Sequence, residues 1–222
     1  MNTPDSRWRR LLGHGPGLLW AMVAGGLLWM VHGYLRFLTP QGPDAVWRED
    51  LQYSQILSTP LFLMYSLPGV LALLLSSWAA LSFLPTLATG RTGLRRAARI
   101  FALLAFVFGL VAAVGQVVLF VSPTIGGISF GVPSLGLALF LAGLAAGREG
   151  GADGRGPHRF VGLWMMLLGG IGMLTLPVQP LVYALELLPL TFATAVFALF
   201  GAGWIGLAFT LRTETAPAAQ TL

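Results

Sequence analysis

Six long apolar runs separated by short polar stretches set the pattern of the chain. They cover about 17–38, 61–84, 100–121, 126–146, 160–177 and 190–211, each close to the ~20 residues a helix needs to cross a ~30 Å hydrocarbon core. The pattern predicts an all-α, polytopic membrane protein: a bundle of six transmembrane helices forming one integral membrane domain over 1–222. The tails 1–16 and 213–222 are expected on the cytoplasmic side.

Proline and polar residues punctuate the runs. Pro60 and Pro68 predict a kink or a late start in the second helix. Between the fifth and sixth runs, Val178–Leu188 holds an apolar octet with one carboxylate, Glu186, bracketed by Gln179, Pro180 and Pro189. Eight residues cannot span, so the octet reads as one or two turns of helix lying in the interface. The alternative is a sixth helix that begins near Leu181 and kinks at Pro189. The first run, preceded by Arg7, Arg9 and Arg10, resembles a secretory leader only in its charge. Its apolar part is too long for the usual ~7–15 residues and lacks a convincing small-residue cleavage site, so it reads as an uncleaved span.

Composition agrees with the pattern: 56% of residues are hydrophobic, 9% are charged and the mean hydropathy is +0.79, against about 25% charged in ordinary soluble domains. The net charge of +5 is carried by arginine, which occurs 13 times and without lysine. The arginines flank apolar runs, so they read as an orientation signal rather than a nucleic-acid face. Arg7, Arg9 and Arg10, then Arg91, Arg95, Arg96 and Arg99, then Arg148, Arg155 and Arg159, and finally Arg212 fall in every second polar segment. The intervening segments hold Arg48 among Asp44, Glu49 and Asp50, and Glu186. The positive-inside rule then places both termini in the cytoplasm of an inner or plasma membrane, which requires an even number of spans. Cysteine is absent, which removes disulfides and thiol chemistry.

Small residues recur every four positions at Ala21 and Gly25, at Ala105, Gly109 and Ala113, at Ala138, Ala142 and Ala146, and at Ala198, Ala202 and Gly206. Such stripes let helix backbones approach and read as packing seams.

The candidate chemistry is sparse and one-sided. His32 and Arg36 lie four apart at the end of the first run and share a helical face with Trp29 and Gly25. A histidine in a span needs a partner, which a neighbouring helix can supply. Arg36 can snorkel to the headgroups or pair with Glu49, Asp50 or Glu186. Glu49 and Asp50 are adjacent, a poor spacing for a catalytic pair, and read with Tyr53 as part of a solvated acidic loop. Gln116, Tyr65, Thr175, Thr191 and Thr194 add polar groups in the same halves of their helices, where interhelical hydrogen bonding is the ordinary use. Ser76, Ser77 and Ser82 are expected to bond the preceding turn's carbonyls.

No cofactor is expected: His14 and His158 lie outside the spans, so no second membrane histidine can share a haem with His32, and no metal-ligand or phosphate-binding motif occurs. Ser134, in Gly131-Val-Pro-Ser-Leu-Gly136, lacks the Gly-x-Ser-x-Gly spacing of a serine nucleophile. No diagnostic motif ties the chain to a family, and no catalytic residue is assigned. The candidate site is an outward-facing polar pocket of His32, Arg36, Glu49, Asp50, Tyr53, Gln116 and Glu186, and its expected partners are the lipid bilayer and a lipid or protein ligand at the outer face. A small-solute or proton-coupled transporter is the alternative, and a membrane enzyme on lipid-like substrates the second.

Overall fold

The computed structural model describes residues 16–38, 45–48, 53–56, 59–87, 92–149, 157–183 and 185–215. Six helices carry the fold: α1 (Pro16–Leu38), α2 (Thr59–Leu87), α3 (Thr92–Val117), α4 (Val121–Glu149), α5 (Pro157–Tyr183) and α6 (Leu190–Thr215). Each is long and apolar enough to cross a membrane, so the chain is a multi-pass integral membrane protein. Pro16 and Pro60 sit in the first turns of α1 and α2, where the missing N–H costs nothing. Pro68 lies inside α2, which continues through it.

Helices adjacent in sequence pack side by side and α6 returns to α1, closing a ring. A further contact between α2 and α4 leaves α3 at the periphery, with the smallest buried share of the six. Two links depart from the expected spans. The third apolar run is expected to reach 121, yet α3 stops at Val117 and Val121 already belongs to α4. There Phe120 N–H bonds Gly115 O at 2.7 Å and Leu119 N–H bonds Gln116 O at 3.4 Å, with Leu119 left-handed at φ 56°. This is the paired closure that usually ends a helix on glycine.

The interfacial helix expected over 181–188 is not formed, and neither is a sixth helix starting near Leu181. Instead α5 runs through Pro177 and Pro180 to Tyr183. Its last carbonyls are taken by the link: Leu185 N–H bonds Pro180 O at 3.0 Å, and Leu187 and Leu188 both donate to Leu181 O. With those carbonyls satisfied and Glu186 at φ 50°, the octet has no reason to continue as a helix.

The segment expected to be an acidic loop contains a short antiparallel hairpin, β1 (Ala45–Arg48) paired with β2 (Tyr53–Ile56), in register Arg48↔Tyr53 to Ala45↔Ile56. Val46, Trp47, Tyr53 and Ile56, β-branched or aromatic residues that favour extended backbone, are the sequence signal for it.

Glycines, more than the alanine stripes, set the closest approaches. On α1 and α6 a Cβ at Gly26 would meet Gly201 O at 2.6 Å, and on α4 and α5 a Cβ at Gly143 would meet Gly162 O at 2.5 Å. Backbone touches backbone at these points. Ala138, Ala142 and Ala146 are buried as a seam requires, but Ala202 is exposed, so α6 packs on α1 through Gly201 instead.

Candidate functional site

The bundle has two unlike ends. One gathers the end of α1, the start of α2, the end of α3 and the start of α4, and is called here the His32 end. The other carries Arg95, Arg96, Arg99 and Arg212. There Arg95 caps the neighbouring helix by donating to Pro85 O at 2.7 Å.

At the His32 end a cavity opens between α1, α2 and α4. It is lined by His32, Arg36, Phe37, Phe62, Tyr65, Ser66, Val121, Ile125, Ile128 and Ser129, and offers about 30 Å³ to the centres of water-sized molecules. At roughly 10–15 Å³ per water centre, that is room for about two waters.

His32 is the most constrained polar group there. Its ring is buried and its Nδ1 lies 3.1 Å from the backbone oxygen of Tyr65 on α2. A carbonyl only accepts, so Nδ1 carries the proton and a neutral ring keeps its lone pair on Nε2. Trp29 and Phe197 meet the ring edge-on at 6.0 and 5.4 Å. Gly69 admits it: a Cβ there would stand 2.7 Å from Nδ1. Arg36, one turn further along α1, is half-buried at the same cavity.

Behind Ser66 stands Gln116. The Ser66 hydroxyl donates to Phe62 O and lies 2.8 Å from Gln116 Oε1. One hydroxyl proton cannot serve both, so the network is satisfied when the amide is turned to donate Nε2–H to Ser66. As placed, Nε2 is buried without a partner among the described residues.

Below the cavity the centre of the ring is filled by aromatic side chains. Trp29 packs on Phe197 and Phe200 at 5.7 Å, Phe200 on Trp204 at 6.4 Å, and Trp204 on Phe83 at 6.4 Å. All five are essentially fully buried. Leu135, Ala138, Leu139 and Leu168 surround the same core and are also fully buried. The column adjoins the cavity through His32, whose ring touches Trp29 and Phe197, while none of its five residues lines the cavity itself.

Of the residues expected at the site, the structure brings together His32, Arg36 and, through Ser66, Gln116. Glu186 is exposed on the link between α5 and α6 and does not line the cavity. Tyr53 begins β2, and Glu49 and Asp50 lie outside the described residues. Ser66 and Ser129 were not singled out from the sequence, because a lone serine in a span reads as bonding its own helix, as Ser77 does to Leu73 O at 2.6 Å and Ser82 to Trp78 O at 2.9 Å. Ser76 departs from that expectation by accepting the indole N–H of Trp29 at 3.1 Å. Ser134 bonds Phe130 O at 2.7 Å, and Thr194 reaches Gly33 O across α1 and α6 at 3.3 Å.

Comparison with protein-family models, with curated proteins and with solved structures gives no match.

Proposed function

We propose that the chain is a membrane-resident binding protein whose site is the cavity at the His32 end, and that its ligand is a lipid or protein partner reaching it from outside the cell. The single observation that carries this reading is the packing behind His32: Trp29 and Phe197, which touch its ring, continue into Phe200, Trp204 and Phe83 as a fully buried aromatic column. A polar solute crossing that column would lose its hydrogen bonds at a cost of about 2–7 kcal/mol for each amide or hydroxyl. A blind cavity suits binding better than passage. Orientation rests on the arginines, which gather at the opposite end and read as cytoplasmic. Binding is also favoured over catalysis, since Ser66 bonds Phe62 O and Gln116 rather than His32, so the cavity's hydroxyl and imidazole are not joined as nucleophile and base.

The absence of cysteine makes the test direct. Single cysteines at Ile125 and Ser129 should react with a membrane-impermeant thiol reagent from the outer face alone, while cysteines at Ala105 and Ala138 stay inert from both faces. Labelling of Ala105→Cys or Ala138→Cys from the cytoplasmic face would replace binding by transport as the reading.

A further inference from the structure

Resting on the binding role proposed above, we infer that the cavity receives the carboxyl head of a single-chain amphiphile, with Arg36 and His32 as the groups that recognise it.

Size limits the headgroup first. Space for about two water-sized centres accommodates the two oxygens of a carboxyl group. Hydrogen-bond chemistry then selects among small heads. His32 is 5% exposed and lines the cavity, and among the described residues its ring has no hydrogen-bond partner besides Tyr65 O. With Nδ1–H committed there, Nε2 offers a lone pair and calls for a donor. Arg36, one helical turn away, offers only donors. Its five N–H groups can serve a carboxyl oxygen alongside any other partner. A carboxylic acid answers both from one planar group: its O–H donates to Nε2 while its carbonyl oxygen accepts from the guanidinium. If the proton passes from oxygen to Nε2, a carboxylate lies against imidazolium and guanidinium, with the total charge unchanged. An alcohol supplies one hydroxyl and no carbonyl, and an ester supplies no donor.

The other walls identify what the carboxyl is attached to. Phe62, Val121, Ile125 and Ile128 present hydrocarbon around the carboxyl's place, which suits the first methylenes of an alkyl chain leading out of the cavity. The ligand class is therefore a long-chain fatty acid rather than a small soluble acid.

The test is equilibrium binding to the purified protein in detergent, using a chain-labelled fluorescent C16 acid competed by unlabelled palmitic acid, its methyl ester, the C16 alcohol and acetate. Thermal melting of each variant checks that it is folded. Palmitic acid should compete at least tenfold better than ester or alcohol, and acetate should not compete. Arg36→Gln should weaken the acid about tenfold and leave the ester unchanged, whereas a merely structural role for Arg36 would move both equally. Ile125→Trp, which fills the cavity and leaves both recognition residues in the sequence, should abolish binding. Equal competition by acid, ester and alcohol, all abolished by Ile125→Trp, would overturn carboxyl recognition while leaving the cavity as the binding site. Binding unaffected by Ile125→Trp would overturn the site itself, and competition by acetate at the same concentrations would overturn the amphiphile.

Discussion

The two halves of this bundle are made from the same apolar alphabet and solve the packing problem differently. Towards the arginine-bearing end, helices close on one another through glycine and alanine, with Gly143 of α4 against Gly162 of α5 and Ala79, Ala98, Ala102 and Ala138 fully or almost fully buried. Towards the His32 end, bulky and polar side chains hold α1, α2 and α4 apart around a cavity. In lipid no hydrophobic force favours helix association, so close backbone contact and interhelical hydrogen bonds must do it. Where contact is continuous nothing can enter, and where hydrogen bonding replaces contact a void remains that a ligand can use.

The largest effect should come from adding side-chain volume to each half. A Cβ at Gly143 would meet Gly162 O at 2.5 Å and Met166 N at 2.8 Å, both backbone atoms that cannot turn aside. Gly143→Ala should therefore lower stability in detergent by about 3 kcal/mol, the upper part of the overpacking range. Ile125→Phe adds more volume at the cavity wall, where space exists, and should cost less than about 1 kcal/mol. Chemical unfolding of the two variants checks the comparison, and equal losses would mean the halves are equally tight.

A middle-sized effect should separate two buried tryptophans in the same aromatic column. Trp29 donates its indole N–H to Ser76 at 3.1 Å, whereas the indole nitrogen of Trp204 has no partner among the described residues. Replacement by Phe removes similar volume at each. At Trp29 it also breaks a buried hydrogen bond, while at Trp204 it relieves an unsatisfied donor worth about 1–3 kcal/mol. Trp29→Phe should thus be the more destabilising by about that amount in thermal and chemical unfolding. A larger loss at Trp204 would point to a hydrogen bond that the column does hold.

The number of helices was legible because each apolar run is long enough to span, and the helix starts at Leu190 and near Thr59 were legible because Pro189 and Pro60 mark them. The boundary at Val117 was not. Val117-Val118-Leu119-Phe120-Val121 contains no residue that favours a turn, and the closure there depends on Leu119 taking a conformation usually left to glycine. His32, Arg36 and Gln116 stood out because polar groups in lipid need partners. The apolar walls of the cavity that His32 and Arg36 line did not, because Phe62, Ile125 and Ile128 look like any other apolar residues until three helices bring them together. Glu186 shows the opposite failure: a lone carboxylate among leucines drew attention, yet it lies on an exposed link.

The smallest predicted effect concerns strain, and it also divides the halves. Among the described residues, the non-glycine ones with positive φ are Leu119 and Glu186, both in links at the His32 end. Left-handed backbone costs an ordinary L-residue about 1–2 kcal/mol, and glycine is free of that cost but loses more freedom on folding. Leu119→Gly should consequently raise stability by about 0.5–1 kcal/mol, seen as a higher melting temperature in detergent. Leu119 is 47% exposed, so little packing is lost with its side chain. The turn it makes fixes where α4 begins, and so where Val121 and Ile125 meet the cavity. If glycine simply relieves strain, the turn and the cavity keep their shape, and binding of the labelled acid should be unchanged while the melting temperature rises. A fall in stability would show that the Leu119 side chain holds the turn in place by contacts that outweigh its backbone strain.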